Sequence, residues 1–210
     1  RGGQSARLYA LHESADGEVD GFIGYRRNRD NAHGLSRNVL TVDQLFGVDY
    51  EVEAALWAFA FEHDLIHSVA AHGRPVDEPI RWRLADPRRL VTTDVTDDLW
   101  LRVVDVGGAL SARRYARDDR FTIEVHDAFR PDTSGRYLVD GGPDGATCAR
   151  SDGEPDLTMG IADLGAIYLG GATPTSLWRA GRIVEATEGA VRRADAFFAS
   201  SPIPWMTTGF

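Results

Sequence analysis

A carboxylate acts as a base when it is held within hydrogen-bond reach of the proton it takes. The last residue of this 210-residue chain, Phe210, offers one that belongs to no side chain, the terminal α-carboxylate. It closes an apolar, turn-prone segment, Pro202-Ile203-Pro204-Trp205-Met206-Thr207-Thr208-Gly209-Phe210. Chain ends fray into water unless something holds them. An aromatic terminus behind two prolines and a tryptophan is therefore either a staple of the fold or a way of carrying a free carboxylate into a cleft. An ordinary α-carboxyl, with a pKa of about 3.5, is a poor base. Partial desolvation beside Phe210 and Trp205 raises that value and makes a better one.

Other residue groupings offer less. His63, His67 and His72 invite a metal reading, but no glutamate lies between the first two, and Leu65-Ile66 already reads as the start of a strand, which splits the pair. Zinc needs three or four converging ligands. Asp140-Gly141-Gly142-Pro143-Asp144-Gly145 has the acids and glycines of a calcium loop without its alternating ligands or closing glutamate, and a hairpin turn accounts for it better. Cys148 stands alone, with no motif around it and no partner for a disulfide, which fits a reducing cytoplasm. No Gly-x-Ser-x-Gly elbow is present, so serine-hydrolase chemistry has no support. All 23 basic residues are arginine, so no lysine can serve as base or Schiff-base nucleophile. A net charge of −9 argues against nucleic-acid partners and suits cationic ligands. No apolar run approaches a membrane span. The chain starts Arg1-Gly2-Gly3 without a methionine, as expected of a piece cut from something longer.

The elements that must position these groups can be read from periodicity. Leu8–His12, Phe22–Arg26 and Asn38–Leu45 read as strands, the first two separated by a glycine-bearing turn. Asp49 to Glu62 carries one apolar row at Val52, Leu56 and Phe59 and a second at Tyr50, Ala54, Trp57 and Phe61, which predicts a helix buried on two sides. Leu65–Ala71 follows as a strand, giving β-β-β-α-β. A polar, acidic break falls at Thr92 to Asp98. Beyond it, Leu99–Val106 alternates as a strand should, a helix runs to about Tyr115, and strands are expected at Phe121–Val125, Arg136–Val139, Ala146–Ala149 and Leu157–Met159. Helices are expected at Ile161–Leu169, closed by Gly170-Gly171, at Pro174–Ala180 and at Glu188–Ala199. The fold class is α+β: a mixed α/β unit over residues 1–96, then an α+β layer over residues 97–210.

Three stretches carry a resemblance. They are Asp97-Asp98-Leu99-Trp100-Leu101-Arg102-Val103-Val104-Asp105-Val106-Gly107-Gly108-Ala109-Leu110-Ser111-Ala112-Arg113-Arg114-Tyr115, Gly160-Ile161-Ala162-Asp163-Leu164-Gly165-Ala166-Ile167-Tyr168-Leu169-Gly170-Gly171-Ala172, and the aromatic tail. In that order they resemble the C-terminal half of Eis-type (enhanced intracellular survival) GNAT N-acetyltransferases. GNAT domains grip the pyrophosphate of coenzyme A with an Arg/Gln-x-x-Gly-x-Gly/Ala turn at a helix start, and no such turn follows a strand here. The resemblance then implies a degenerate, incomplete GNAT-like unit followed by a sterol-carrier-protein-like domain. It implies that acetyl-CoA is bound by a missing N-terminal domain, so that this chain binds no cofactor and is inactive alone. It implies a small cationic amine as acceptor, the chain's own N-terminal GNAT domain as partner, and a homo-hexamer. It casts the Phe210 carboxylate as the general base and places Trp205 and Gly209 on the substrate side. Gly209 stands where the best-known members carry an acidic residue, a difference that bears on aminoglycoside preference. The rival reading is a sterol-carrier-like module that binds a lipid or other apolar ligand without catalysis.

Overall fold

The computed structural model describes residues 5–28 and 37–206. The chain divides into two compact units: Arg1–Thr96 together with the segment beginning at Trp205, and Asp97–Pro204.

The first unit is built on a four-stranded sheet in the order β1(Leu8–Glu13)-β2(Val19–Asn28)-β3(Asn38–Gly47)-β4(Ile66–Ala71). Its first three strands are antiparallel, and β4 lies parallel to β3, with α1(Tyr50–Phe61) as the crossover. Ile23, Tyr25, Leu40, Val42 and Leu45 turn one face of the sheet toward Val52, Leu56, Trp57 and Ala60 of that helix. The approach is close. A Cβ added at Gly47 would lie 2.8 Å from the Glu53 nitrogen, so only glycine lets the helix start so near the strand. A register shift between Gly24 and Tyr25 leaves Asp43 of β3 as the extra residue, and its carboxylate takes Arg26 Nε and Arg7 Nε, each at 2.8 Å. The expected burial of α1 on two sides is only partly realised: Trp57 of the second row joins Val52, Leu56 and Ala60 in the core, but Tyr50 is 60% and Phe61 43% exposed. After β4 comes the short α2(Ile80–Arg83), which periodicity did not reveal because it lasts a single turn.

The second unit holds a five-stranded sheet in the order β7(Gly145–Arg150)-β6(Gly135–Gly142)-β5(Asp119–His126)-β8(Leu157–Gly160)-β9(Ile183–Glu185). Strands β5 and β8 are parallel, so the sheet is mixed. The hairpin of β6 and β7 turns at Gly142–Gly145, where a calcium loop had been weighed. Phe121, Ile123 and Val125 of β5 and Leu157 and Met159 of β8 pack with α3(Val106–Ala112), α4(Ile161–Tyr168) and α6(Ala190–Phe198); α5(Pro174–Arg179) lies before β9. Tyr115 stacks on Phe197 with ring centroids 3.8 Å apart. Gly170 has φ +84°, the left-handed turn that ends α4.

The strand expected at Leu99–Val106 is absent. The segment is extended, with Val103 buried and Leu101 against the core, as alternation demands, but it has no strand to pair with. Asp105 instead starts α3, accepting the N–H of Gly108 at 2.9 Å. No helix among the described residues is long and apolar enough to cross a membrane.

Candidate functional site

The part of the tail that is described, through Met206, shows how the segment is held within the first unit. Trp205 Nε1 donates to the carbonyl of Gly73 at 2.8 Å, and its ring stacks on Phe46 with centroids 5.7 Å apart. Phe46 meets Phe22 at 5.3 Å and Phe22 meets Tyr9 at 6.5 Å, so Trp205 extends an aromatic row across β3, β2 and β1. Phe210 and Gly209 lie outside the described residues.

Arg74, one residue beyond the turn at Gly73, organises this region. Its Cζ lies 5.1 Å from the Trp205 ring and 5.8 Å from that of Trp57, within cation–π range of both. Its Nη1 donates to the carbonyl of Leu45 at 2.6 Å, its Nε to Glu78 Oε2 at 2.6 Å and its Nη2 to Glu53 Oε2 at 3.5 Å. Both carboxylates are largely covered. Burial raises the Glu53 pKa above its ordinary value; Arg74 pulls the other way, Glu78 adds to the rise, and the Gly47 N–H opposes it. Trp57 Nε1 is buried with no hydrogen-bond partner, so that indole serves the cluster through its ring. From sequence alone Trp57 is placed only as a member of the helix now seen as α1, and no role falls to Glu53, Arg74 or Glu78. The available signal was the i,i+4 spacing of Arg74 and Glu78 just past a strand.

The histidines do not converge. His63 packs edge-on against Tyr25 and Phe59, His67 lies in β4 and His72 follows it; no group of metal-ligating side chains forms among the described residues. The Cys148 thiol is pushed up to about 11 by burial and by nearby Asp105, so at neutral pH it is a protonated, inert group.

The second unit contains a cleft of about 270 Å³ beside α5 and the start of α6, where Trp178 and Val191 meet Arg179, Arg192, Glu185 and Glu188. Glu185 is already engaged, accepting the Val191 N–H at 2.9 Å. Elsewhere in this unit Asp127 is buried in a nest of donors. It takes Arg102 Nη2 at 2.8 and 2.7 Å, the N–H groups of Phe129 and Arg130 at 3.0 Å each, and Thr133 Oγ1 at 2.9 Å. Burial would raise its pKa, but the Arg130 N–H, the Arg102 guanidinium, the Thr133 hydroxyl and the Phe129 N–H outweigh it and hold the group at about 2. Arg113 is half-buried, and that desolvation lowers its pKa despite nearby Tyr115 and Tyr168. It donates to the carbonyls of Tyr168 and, at 3.0 Å, Phe198, among the rings of Tyr115, Tyr168 and Phe198.

A pyrophosphate could be gripped where β3 passes into α1, if that helix start offered free N–H groups. Here the Asp49 carboxylate takes the N–H of Glu51 at 3.0 Å and of Val52 at 2.9 Å, and Glu51 and Glu53 sit in the same turn. A second anion would meet three carboxylates. This turn does not fit the pyrophosphate of coenzyme A.

Comparison with known proteins divides the chain at the same region. Residues 1–103 match the family model for the acetyltransferase (GNAT) domain, and residues 106–207 match that for the sterol carrier protein domain. An uncharacterised N-acetyltransferase of Streptomyces coelicolor is 41% identical over 195 residues, which cover 92% of this chain and 47% of the relative. The N-acetyltransferase Eis of Mycobacterium tuberculosis is 33% identical over 184 residues, 86% of this chain and 43% of that protein. The crystal structure of Eis1 from Mycobacterium abscessus superposes with a TM-score of 0.79 at 33% identity, over 90% of this chain and 48% of the other. The chain spans about half the length of the curated relatives it matches.

The match over residues 1–103 corrects three expectations. The first unit is a GNAT domain, and its description as degenerate and incomplete is not supported. Acetyl-CoA is a matter for the GNAT domain that this chain carries and not for a missing one. The expectation of inactivity for want of that domain falls with it.

Proposed function

We propose that this Eis-like chain, a GNAT domain joined to a sterol carrier protein domain, belongs to an N-acetyltransferase for small cationic amines, in which the Phe210 carboxylate takes the proton of the acceptor amine. The observation that carries this reading is the docking of Trp205 onto Gly73, Phe46 and Arg74, which holds the segment preceding the terminal residues against the first unit. The relatives named N-acetyltransferase supply the reaction class. Acetyl-CoA brings an activated acetyl thioester. An ammonium is no nucleophile, so the acceptor must lose a proton first; a carboxylate both attracts the cation and accepts that proton. Gly209 has no side chain and adds no second charge next to the terminal residue in the sequence. The net charge of −9 favours the approach of cations. The working unit is a homo-oligomer of six copies, as the resemblance implies.

The rival reading, an apolar-ligand carrier, is disfavoured by the second unit itself. Phe121, Phe197 and Phe198 are fully buried side chains that fill its interior, and the cleft beside α6 is lined by arginines and glutamates as much as by Trp178.

The test is made in the whole protein, with acetyl transfer to a panel of polyamines and aminoglycosides as the assay. Deleting Phe210, or extending the chain beyond it with a tag, should lower turnover by on the order of 10²-fold or more, the scale of lost general-base catalysis. Phe210→Ala keeps a terminal carboxylate and should lose less. A tagged, folded protein that turns over at the untagged rate refutes the role.

A further inference from the structure

We propose that Arg74 is a positioning residue for the C-terminal segment, and that the sandwich Trp57–Arg74–Trp205 fixes where the tail enters the site. The inference rests on the reading of Phe210 as the base. It is carried by geometry wholly within the described residues of the first unit.

One guanidinium meets two rings, two carboxylates and a backbone carbonyl. The planar group presents faces to Trp57 and Trp205 while its edge donates to Leu45 O, Glu78 and Glu53. Only arginine can satisfy this set: a lysine ammonium is a point donor on a flexible stem and cannot hold a planar fork between two indoles. The bond to Leu45 O pins Arg74 to β3 at a point beyond the pairing of β3 with β4, which ends at Val42 and Ala71. Arg74 therefore carries the rigidity of the sheet to the ring of Trp205. Gly73, the residue before it, supplies the carbonyl that takes the Trp205 Nε1–H. Two adjacent residues thus set both the ring plane of Trp205 and its rotation in that plane. Phe46 closes the third side.

A merely structural salt bridge would need neither indole. Glu78 alone partners Arg74 at 2.6 Å, and Glu53 stands at 3.5 Å. Trp205 lies five residues before Phe210 in the sequence, so its ring is an anchor on the approach to the base. A displacement of about 1 Å at a reacting group can cost on the order of 10²-fold in rate.

The experiment is a two-by-two comparison in the whole protein: Arg74→Met, deletion of Gly209-Phe210, both changes, and neither. If Arg74 acts through the tail, Arg74→Met lowers kcat by on the order of 10-fold with KM for acetyl-CoA unchanged, and it costs nothing further once Gly209-Phe210 is gone. Trp205→Phe, which keeps an apolar ring but removes the Nε1–H donor, lowers kcat in the same background-dependent way and covers the case in which Arg74→Met does not fold. Arg74→Lys restores charge but not rate. Full multiplication of the Arg74 and deletion effects overturns the positioning role while leaving the base intact. A deletion without effect overturns the base itself, which is the separate failure of the reading above. Recovery of the rate by Arg74→Lys also overturns the proposal, since charge alone would then suffice.

Discussion

Each unit holds an arginine–carboxylate cluster in which the carboxylates are covered, Asp127 in the second and Glu53 with Glu78 in the first, and the two are inverted. At Asp127 one carboxylate collects four donor groups, so every lone pair is used and the charge is held at low pKa. At Arg74 one cation is divided among Glu53, Glu78 and a carbonyl, and burial raises Glu53. The first arrangement is saturated in favour of its anion. The second is short of positive charge, which leaves it responsive to whatever else approaches, here the ring of Trp205. A satisfied polar network rigidifies a fold, whereas a partly satisfied one is a place where structure can be redirected.

The contrast is broken most severely by Asp127→Ala. That change orphans two backbone N–H groups, a hydroxyl and a guanidinium at once, and should produce the largest fall in unfolding temperature of any variant named here, measured by calorimetry on the whole protein. Asp127→Asn, which keeps one carbonyl acceptor, should fall less; equal losses would mean that charge alone matters there.

Acid sharpens the contrast without mutation. The folded pKa of Asp127, about 2, lies below its ordinary 3.8, so the unfolded chain takes up the proton first. Its stabilisation is whole above about 3.8 and drains away as pH falls toward 2. Glu53 has the opposite sign: its folded pKa is above 4.5, so the folded chain protonates first and gains stability as pH falls through that raised value, until 4.5 is passed. Urea midpoints followed from neutral pH downward should show the second unit losing more steeply than the first below about pH 4, because Glu53 offsets part of what Asp43, held low against its burial by Arg26 and Arg7, gives up in the first. Parallel curves would refute the difference.

Glu53→Gln is the mildest probe. It relieves the like charge of Glu78 and should change stability by less than about 0.5 kcal/mol at neutral pH, while steepening the first unit's loss in acid. A large loss in urea unfolding would show that Glu53 is a required partner of Arg74 and not a surplus one.

How much of this was legible in the sequence differs between the units. Strands β5 to β8 and helices α4 to α6 follow from alternation, proline and glycine, because each is bounded by local chemistry. The tail was legible as unusual, since Trp205 stands between Pro204 and an aromatic terminus. What holds it was not. Arg74 meets Glu53 across 21 residues, Leu45 across 29, and two indoles, Trp57 earlier in the same unit and Trp205 near the end of the sequence, and no local pattern encodes such meetings. Leu99–Val106 shows the reverse error: its alternation is real, with Val103 inward, but a strand needs a neighbour as well as a pattern, and none stands beside it.

Arg113 has a consequence in mechanical terms. It is a cleat. It grips Phe198 at the end of α6 and ties that point to Tyr168 at the end of α4. Helix ends ordinarily fray first, but the last turn of α6 is clamped here by a half-buried fork wedged among three rings, so two helix ends of the second unit are locked by a single side chain.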